Sequence, residues 1–155
     1  MSESLRGTWR LVDWTFCVDG DKERRPFGGN ATGLLTYTQD GRMSAMLMRR
    51  DRPGTGTTTL SNASAADRAR LAAGYVAYAG SYRIEGPDVV HDVELSLLPN
   101  WIGSEQRRTV AWLPTDDGGS DLELSYSSDT PAGRTAVDRL RWRRVEDVTA
   151  TRETR

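Results

Sequence analysis

The stretch HDVELSLLPNWIGSEQRR, from His91 to Arg108, holds the only histidine of the chain, a Pro-Asn-Trp loop and a pair of arginines. Imidazole titrates near neutrality, so a histidine in a cavity wall orients a ligand or moves a proton at cellular pH. On an apolar strand face it otherwise reads as a core residue with a satisfied hydrogen bond. Arg108 raises a matching choice. A buried guanidinium is costly without an anion or several acceptors. Turned inward, it would hold a carboxylate, enolate or carbonyl oxygen and stabilise negative charge developing there. Alternatively it stacks on Trp112 or Trp101 and closes one end of the fold. Tyr37, Tyr82 and Tyr126 offer phenolic hydrogens to the same interior, or simply fill it.

Other chemistries are poorly served. With one His and one Cys the chain lacks a metal cluster of ordinary ligand spacing, and Cys17 has no partner for a disulfide. No metal and no cofactor is expected. GTGTTT lacks the lysine and following helix of a phosphate loop. A formal net charge of −1, with arginines scattered among acids, argues against nucleic acid or an anionic membrane as partner. The opening MSESLRGTW has no apolar signal region, and no run approaches the ~18 apolar residues of a membrane span. A cytoplasmic location is expected. The length suits a single domain over residues 1–155, with a core over 5–145 and a polar tail, 146–155, that reads as frayed.

The elements that must position these groups are mostly strands. Period-two alternation recurs in GTWRLVDWTFCV, GLLTYT, RMSAMLM and SYRIE, and again in VVHDVELSLL, EQRRTVAWL, DLELSYS and TAVDRLRWRRV. Asp40-Gly41 and Gly86-Pro87 supply hairpin turns. One helix is expected over SAADRARLAAGYVAYAG, with Ser64 and Asp67 at capping-box spacing, Tyr75 and Tyr78 on one face, and Gly80 ending it. Regularly spaced antiparallel strands suggest a closed up-and-down barrel, all-β, with a sandwich as the alternative.

Alternation then assigns faces. Val89, His91, Val93, Leu95 and Leu97 share the apolar side of their strand, and Arg108 shares a side with Gln106, Val110 and Trp112. Arg107 points outward. Tyr82 falls directly opposite His91 if Gly86-Pro87 is the hairpin tip, within reach of a hydrogen bond. Placing the next turn near Trp101 sets Arg108 ~10 Å along the wall from His91, so the two would bracket a ligand rather than touch. Of Met43, Met46 and Met48 only one alternating set can face in; Met46 is taken as the adaptable wall residue. Trp9 reads as a plug at the barrel base, covered by Arg144.

Four stretches, in order, resemble the small bacterial and fungal lipocalin-like domain family: GLLTYTQDGRMSAMLMRRDRP, YVAYAGSYRIE, VVHDVELSLLPNWIGSEQRR and the closing LRWRRV. RGTWRLVDW is similar to the Gly-x-Trp opening of lipocalin-type barrels. The resemblance runs from Leu5 to Val145. It implies an eight-stranded barrel with a small-molecule cavity and a short helix capping one mouth. It carries His91, Asn100, Trp101, Gly103 and Arg108 over from the family motif, whereas Arg107 stands where that motif is usually apolar. Lipocalin-like barrels include carriers and also cofactor-free cyclases and isomerases of secondary metabolism.

Three functions follow as expectations, the third being an interaction module with a filled barrel and no ligand. In the first, the barrel holds an apolar, oxygenated, polyketide-like molecule and promotes cyclisation or isomerisation. His91 with Tyr82 moves a proton and Arg108 holds an oxygen. In the second, it carries or sequesters such a hydrophobic ligand without turnover. The remaining wall is drawn from Tyr37, Met46 and Tyr78, from Val93, Leu95 and Trp101, and from Val110, Trp112 and Tyr126.

Overall fold

Turn chemistry and alternation fix the first hairpins. In a computed structural model describing residues 4–146, Gly41 takes a positive φ of 83° and closes the turn between β2 (Ala31–Tyr37) and β3 (Arg42–Arg49). Gly86 does the same between β4 (Tyr75–Glu85) and β5 (Asp88–Ser96). With β1 (Gly7–Val18), β6 (Glu105–Pro114), β7 (Ser120–Asp129) and β8 (Thr135–Arg144), the strands pair antiparallel in chain order. β8 pairs back onto β1, so the barrel is closed. Closure leaves no strand edge open, and the sandwich alternative falls.

The helix is shorter than its sequence pattern suggests. α1 spans Ala65–Ala73; the Ser64 hydroxyl accepts from the Asp67 amide at 3.1 Å, and Gly74 is the C-cap. Tyr75 to Gly80 belong to β4 instead, paired residue by residue with Met48 to Met43. The run YVAYAG fits both periods, and the ladder to β3 decides it. None of the helix is buried, and its last turn lies over one barrel mouth, where Ala72 and Ala73 line a cavity.

The opposite end is plugged. Trp9 is buried, donates its indole N–H to the Leu5 carbonyl at 2.8 Å and lies 4.2 Å beneath the Arg144 guanidinium. Leu35, Tyr37, Met43, Val89, Leu122 and Trp142 pack with it as the core. On the outside, Val90 is fully buried although it faces away from the barrel. It pairs with Arg83 on one side and Arg107 on the other. Arg83 binds Asp92, Glu85 and Glu105, and Arg107 binds Glu85 and Asp88. The arginine stems cover apolar surface while their heads stay in water.

Two bulges redirect faces. Between Ala79 and Gly80 the β4–β5 register slips, so that Gly80 pairs with Val93 and Ala79 with Leu95. A Cβ on Gly80 would overlap the Asp92 carbonyl, so the close approach requires glycine. Beyond the bulge Leu95 turns outward and is 69% exposed, contrary to the inward position that alternation gives it. In β1 a second irregularity between Leu11 and Asp13 turns Trp14 inward.

Candidate functional site

Beneath α1 the mouth opens into a cavity of about 600 Å³, within the range of small-molecule sites. Phe27 and Trp14 meet edge-to-face at its rim, 5.4 Å apart. Phe27 holds a left-handed φ of 57°, a strained conformation for an aromatic residue and of the kind that clusters at ligand sites. Leu35, Ala45 and Leu47 form an apolar wall on β2 and β3, with Leu124, Leu140 and Trp142 on β7 and β8. Trp101 stands edge-on to Tyr78 at 5.4 Å. It is brought there by the 3-10 turn Pro99–Trp101, whose last carbonyl accepts from the Ser104 hydroxyl at 2.6 Å.

His91 is 1% exposed and both ring nitrogens are engaged. Nε2 lies 2.7 Å from the Tyr37 hydroxyl and Nδ1 2.8 Å from the Tyr78 hydroxyl. Burial, reinforced by the charge of Arg108, pushes its pKa down to about 3, so the imidazole is neutral at cellular pH. Burial likewise raises both phenols above their ordinary value, well above it for Tyr37. Tyr82 is directly opposite His91 in the ladder, as the hairpin tip predicts, but its hydroxyl donates elsewhere, to the Thr38 carbonyl at 3.0 Å. The expected Tyr82–His91 hydrogen bond is therefore replaced by hydrogen bonds between the imidazole and two other tyrosines. The Tyr82 ring packs edge-on against Tyr37 instead, while Tyr37 from β2 and Tyr78 from β4 turn their hydroxyls to the imidazole.

Arg108 faces the cavity and Arg107 faces solvent. The β5–β6 connection runs through the Pro99–Trp101 turn and is centred between Leu98 and Pro99 rather than at Trp101. Arg108 consequently pairs with Val89, and Gln106 stands opposite His91. The guanidinium is thus close to His91 rather than far along the wall. It donates to the Arg107 carbonyl at 3.0 Å and the Gln106 side-chain oxygen at 3.2 Å, and lies 5.1 Å over the Tyr126 ring. No carboxylate is among these partners. It stacks on neither Trp101 nor Trp112.

Several expected wall residues lie elsewhere. Met46 points outward and is 38% exposed, because Met43, Ala45 and Leu47 take the inner face of β3. Leu95 is turned out by the bulge. Val93 and Tyr37 are buried in the barrel without lining this cavity. Val110, Trp112 and Tyr82 line a second concavity, of about 610 Å³, at the plugged end. Tyr78, Trp101 and Tyr126 join His91 and Arg108 at the helix-covered cavity.

Asp138, Gln106, Trp14 and Phe27 also line the cavity and were not singled out from the sequence as site residues. Asp138 shares the inner face of TAVDRLRW with Ala136, Leu140 and Trp142, so alternation along β8 carried that signal. Its Oδ1 accepts from the Trp14 indole at 2.9 Å. Trp142, also in the wall, keeps a buried indole N–H with no partner among the described residues. No group of metal-binding side chains occurs among the described residues, and none of their helices is long and apolar enough to cross a membrane.

A family model described as a lipocalin-like domain matches residues 6–145. A crystal structure of an uncharacterized protein from Bacteroides eggerthii is similar at 14% identity, covering 88% of this chain and 98% of that one, with a TM-score of 0.43. No curated protein matches.

Proposed function

The chain belongs to the lipocalin-like domain family, and from that premise we propose that it binds an apolar, oxygenated small molecule, polyketide-like in character, in the cavity beneath α1. One observation carries this reading: Arg108 stands in a mostly apolar cavity without an anionic partner. Its two acceptors, the Arg107 carbonyl and the Gln106 side-chain oxygen, are both neutral, and the guanidinium keeps further N–H groups that a ligand carboxylate, enolate or carbonyl suits. Leu47, Val76 and Leu140 offer the apolar surface that the rest of such a molecule needs.

Turnover is the second reading, favoured by Asp138. Arg108 and Asp138 face one cavity with Tyr126 between them, so a ligand oxygen held by the cation would leave a neighbouring C–H or O–H within reach of the carboxylate. Cofactor-free isomerisation or cyclisation then places electrophilic help on Arg108 and Tyr78 and proton acceptance on Asp138. His91, neutral down to about pH 3, is a poor base at working pH. It supports the site as a hydrogen-bond partner of Tyr78. Without turnover the same arrangement describes a carrier.

Titration with 2-naphthoate and with 2-methylnaphthalene, followed by tryptophan emission, tests the binding reading. Wild type should bind both, and Arg108→Gln should lose about 10- to 100-fold in naphthoate affinity, the range of a charge-assisted hydrogen bond, while keeping the hydrocarbon. Equal affinity of both proteins for naphthoate would remove Arg108 from the site. Given a substrate, Asp138→Asn should abolish turnover without loss of affinity.

A further inference from the structure

Tyr37, His91 and Tyr78 form a row of three polar groups that starts in the core and ends at the cavity wall. Nε2 of His91 meets the Tyr37 hydroxyl at 2.7 Å and Nδ1 meets the Tyr78 hydroxyl at 2.8 Å. A neutral imidazole has one N–H and one bare nitrogen, and each phenol has one hydrogen. Only two directions satisfy both contacts.

In the inward direction, Tyr78 donates to Nδ1 and Nε2–H donates to the Tyr37 oxygen. The hydrogen left over then belongs to Tyr37. That residue is fully buried, and its hydroxyl has no other hydrogen-bond partner among the described residues. A buried donor without an acceptor is the costly arrangement. In the outward direction, Tyr37 donates to Nε2 and Nδ1–H donates to the Tyr78 oxygen. The hydrogen left over belongs to Tyr78, which lines the cavity. A charged imidazolium would strand the Tyr37 hydrogen as well, and burial and the nearby Arg108 charge both oppose it.

We infer that the row runs outward, Tyr37 to His91 to Tyr78, and presents the Tyr78 phenolic hydrogen as a fixed donor to an acceptor atom of the bound molecule. Tyr37 and His91 are positioning residues that set the tautomer and the direction. Tyr78 and Arg108 are then both donors on one cavity. The molecule they suit carries a carbonyl, carboxylate or enolate oxygen, and one offering only a hydroxyl hydrogen there is disfavoured. The ligand part of this inference rests on the binding reading above; the direction of the row does not.

The chain has one histidine, so a long-range 1H–15N spectrum of histidine-labelled protein gives a single assignable imidazole. Ligand-free wild type should show the Nδ1–H tautomer, with Nε2 bare, and no titration between pH 8 and pH 5. Tyr37→Phe should lose this single-tautomer signature and Tyr78→Phe should keep it. An Nε2–H tautomer, or an imidazolium forming near pH 6, would overturn the assigned direction. In the binding arm, Tyr78→Phe should weaken 2-naphthoate about tenfold and leave 2-methylnaphthalene unchanged. Equal loss for both probes would overturn the donor role. Failure of wild type to bind either probe would overturn the ligand reading while the tautomer result stands.

Discussion

Arg108 and Asp138 face the same cavity from β6 and β8, on either side of the β7 residue Tyr126, over whose ring the Arg108 guanidinium lies at 5.1 Å. Strands two apart are separated by roughly 10 Å. Among the described residues no ion pair joins the two side chains, and the polar partners of each are neutral groups. Each keeps capacity for a ligand: Arg108 has no carboxylate partner, and Asp138 shares one oxygen with Trp14.

This separation predicts charge selection. A carboxylate ligand at Arg108 feels the Asp138 charge at a cost of about 1 kcal/mol for an effective dielectric near 30. Asp138→Asn should therefore tighten 2-naphthoate about fivefold at low salt, with a smaller gain at high salt. Fluorescence titrations at two ionic strengths measure it, and unchanged or weaker binding would place Asp138 outside the ligand's field.

His91 predicts a pH dependence of stability. Its folded pKa of about 3 lies below its unfolded value near 6.5. The unfolded chain therefore binds the proton first as pH falls, and stability present above pH 6.5 is lost progressively toward pH 3. Between pH 7 and pH 5 the wild type should lose about 2 kcal/mol from this group. Urea unfolding of wild type and His91→Gln at both pH values checks it: the variant should be less stable at pH 7 and should show a much flatter dependence. Parallel curves would mean that the imidazole is protonated within the fold.

Gly80 predicts a backbone requirement. Gly80→Ala places a methyl group on the Asp92 carbonyl oxygen, so either the bulge reorganises or the strands separate. A loss of about 3 kcal/mol or more is expected, large for so small a change. Thermal unfolding measures it, with Gly54→Ala, which meets nothing within 4 Å, as the control that should stay near wild type.

The fold was legible because its signals are local. Turn residues such as Asp40-Gly41 and Gly86-Pro87, with alternation between them, fix eight strands and the Tyr82–His91 pairing. The inward Arg108 and outward Arg107 follow from alternation on the same strand. What could not be read depends on events between strands. A slip at Gly80 turns Leu95 out, and one beyond Leu11 turns Trp14 in. A 3-10 turn at Pro99–Trp101 moves Arg108 along the wall to Val89. Tyr78 changed element altogether, because YVAYAG satisfies helix and strand periods alike. Of His91's true partners, Tyr37 lies on β2, beyond the reach of pairing rules within one hairpin, and Tyr78 lies on the neighbouring β4 but four residues from the directly paired Tyr82.

Asp121 predicts the second pH window. It is 1% exposed on the outer face of β7, between Arg141, whose Nε is 2.6 Å away, and Arg143, whose Nε and Nη2 are 2.9 and 3.0 Å away. The Arg143 hydrogen bonds, aided by Arg141 against the effect of burial, hold its carboxyl below the usual carboxylate range. A carboxylate so depressed adds stability above its unfolded pKa and loses it as pH falls through the folded one. Asp121→Asn keeps the shape and removes the charge, so about 2 kcal/mol should be lost at pH 7, with both arginines remaining partly solvated. The deficit should hold from pH 8 to about pH 5 and shrink below about pH 4, where the carboxyl protonates in the unfolded chain before it does in the fold. His91 acts higher, below pH 6.5, so urea midpoints of the two variants across pH 3 to 8 separate the contributions. A deficit for Asp121→Asn that stays constant down to pH 3 would mean that packing, not charge, holds the β7–β8 ladder there.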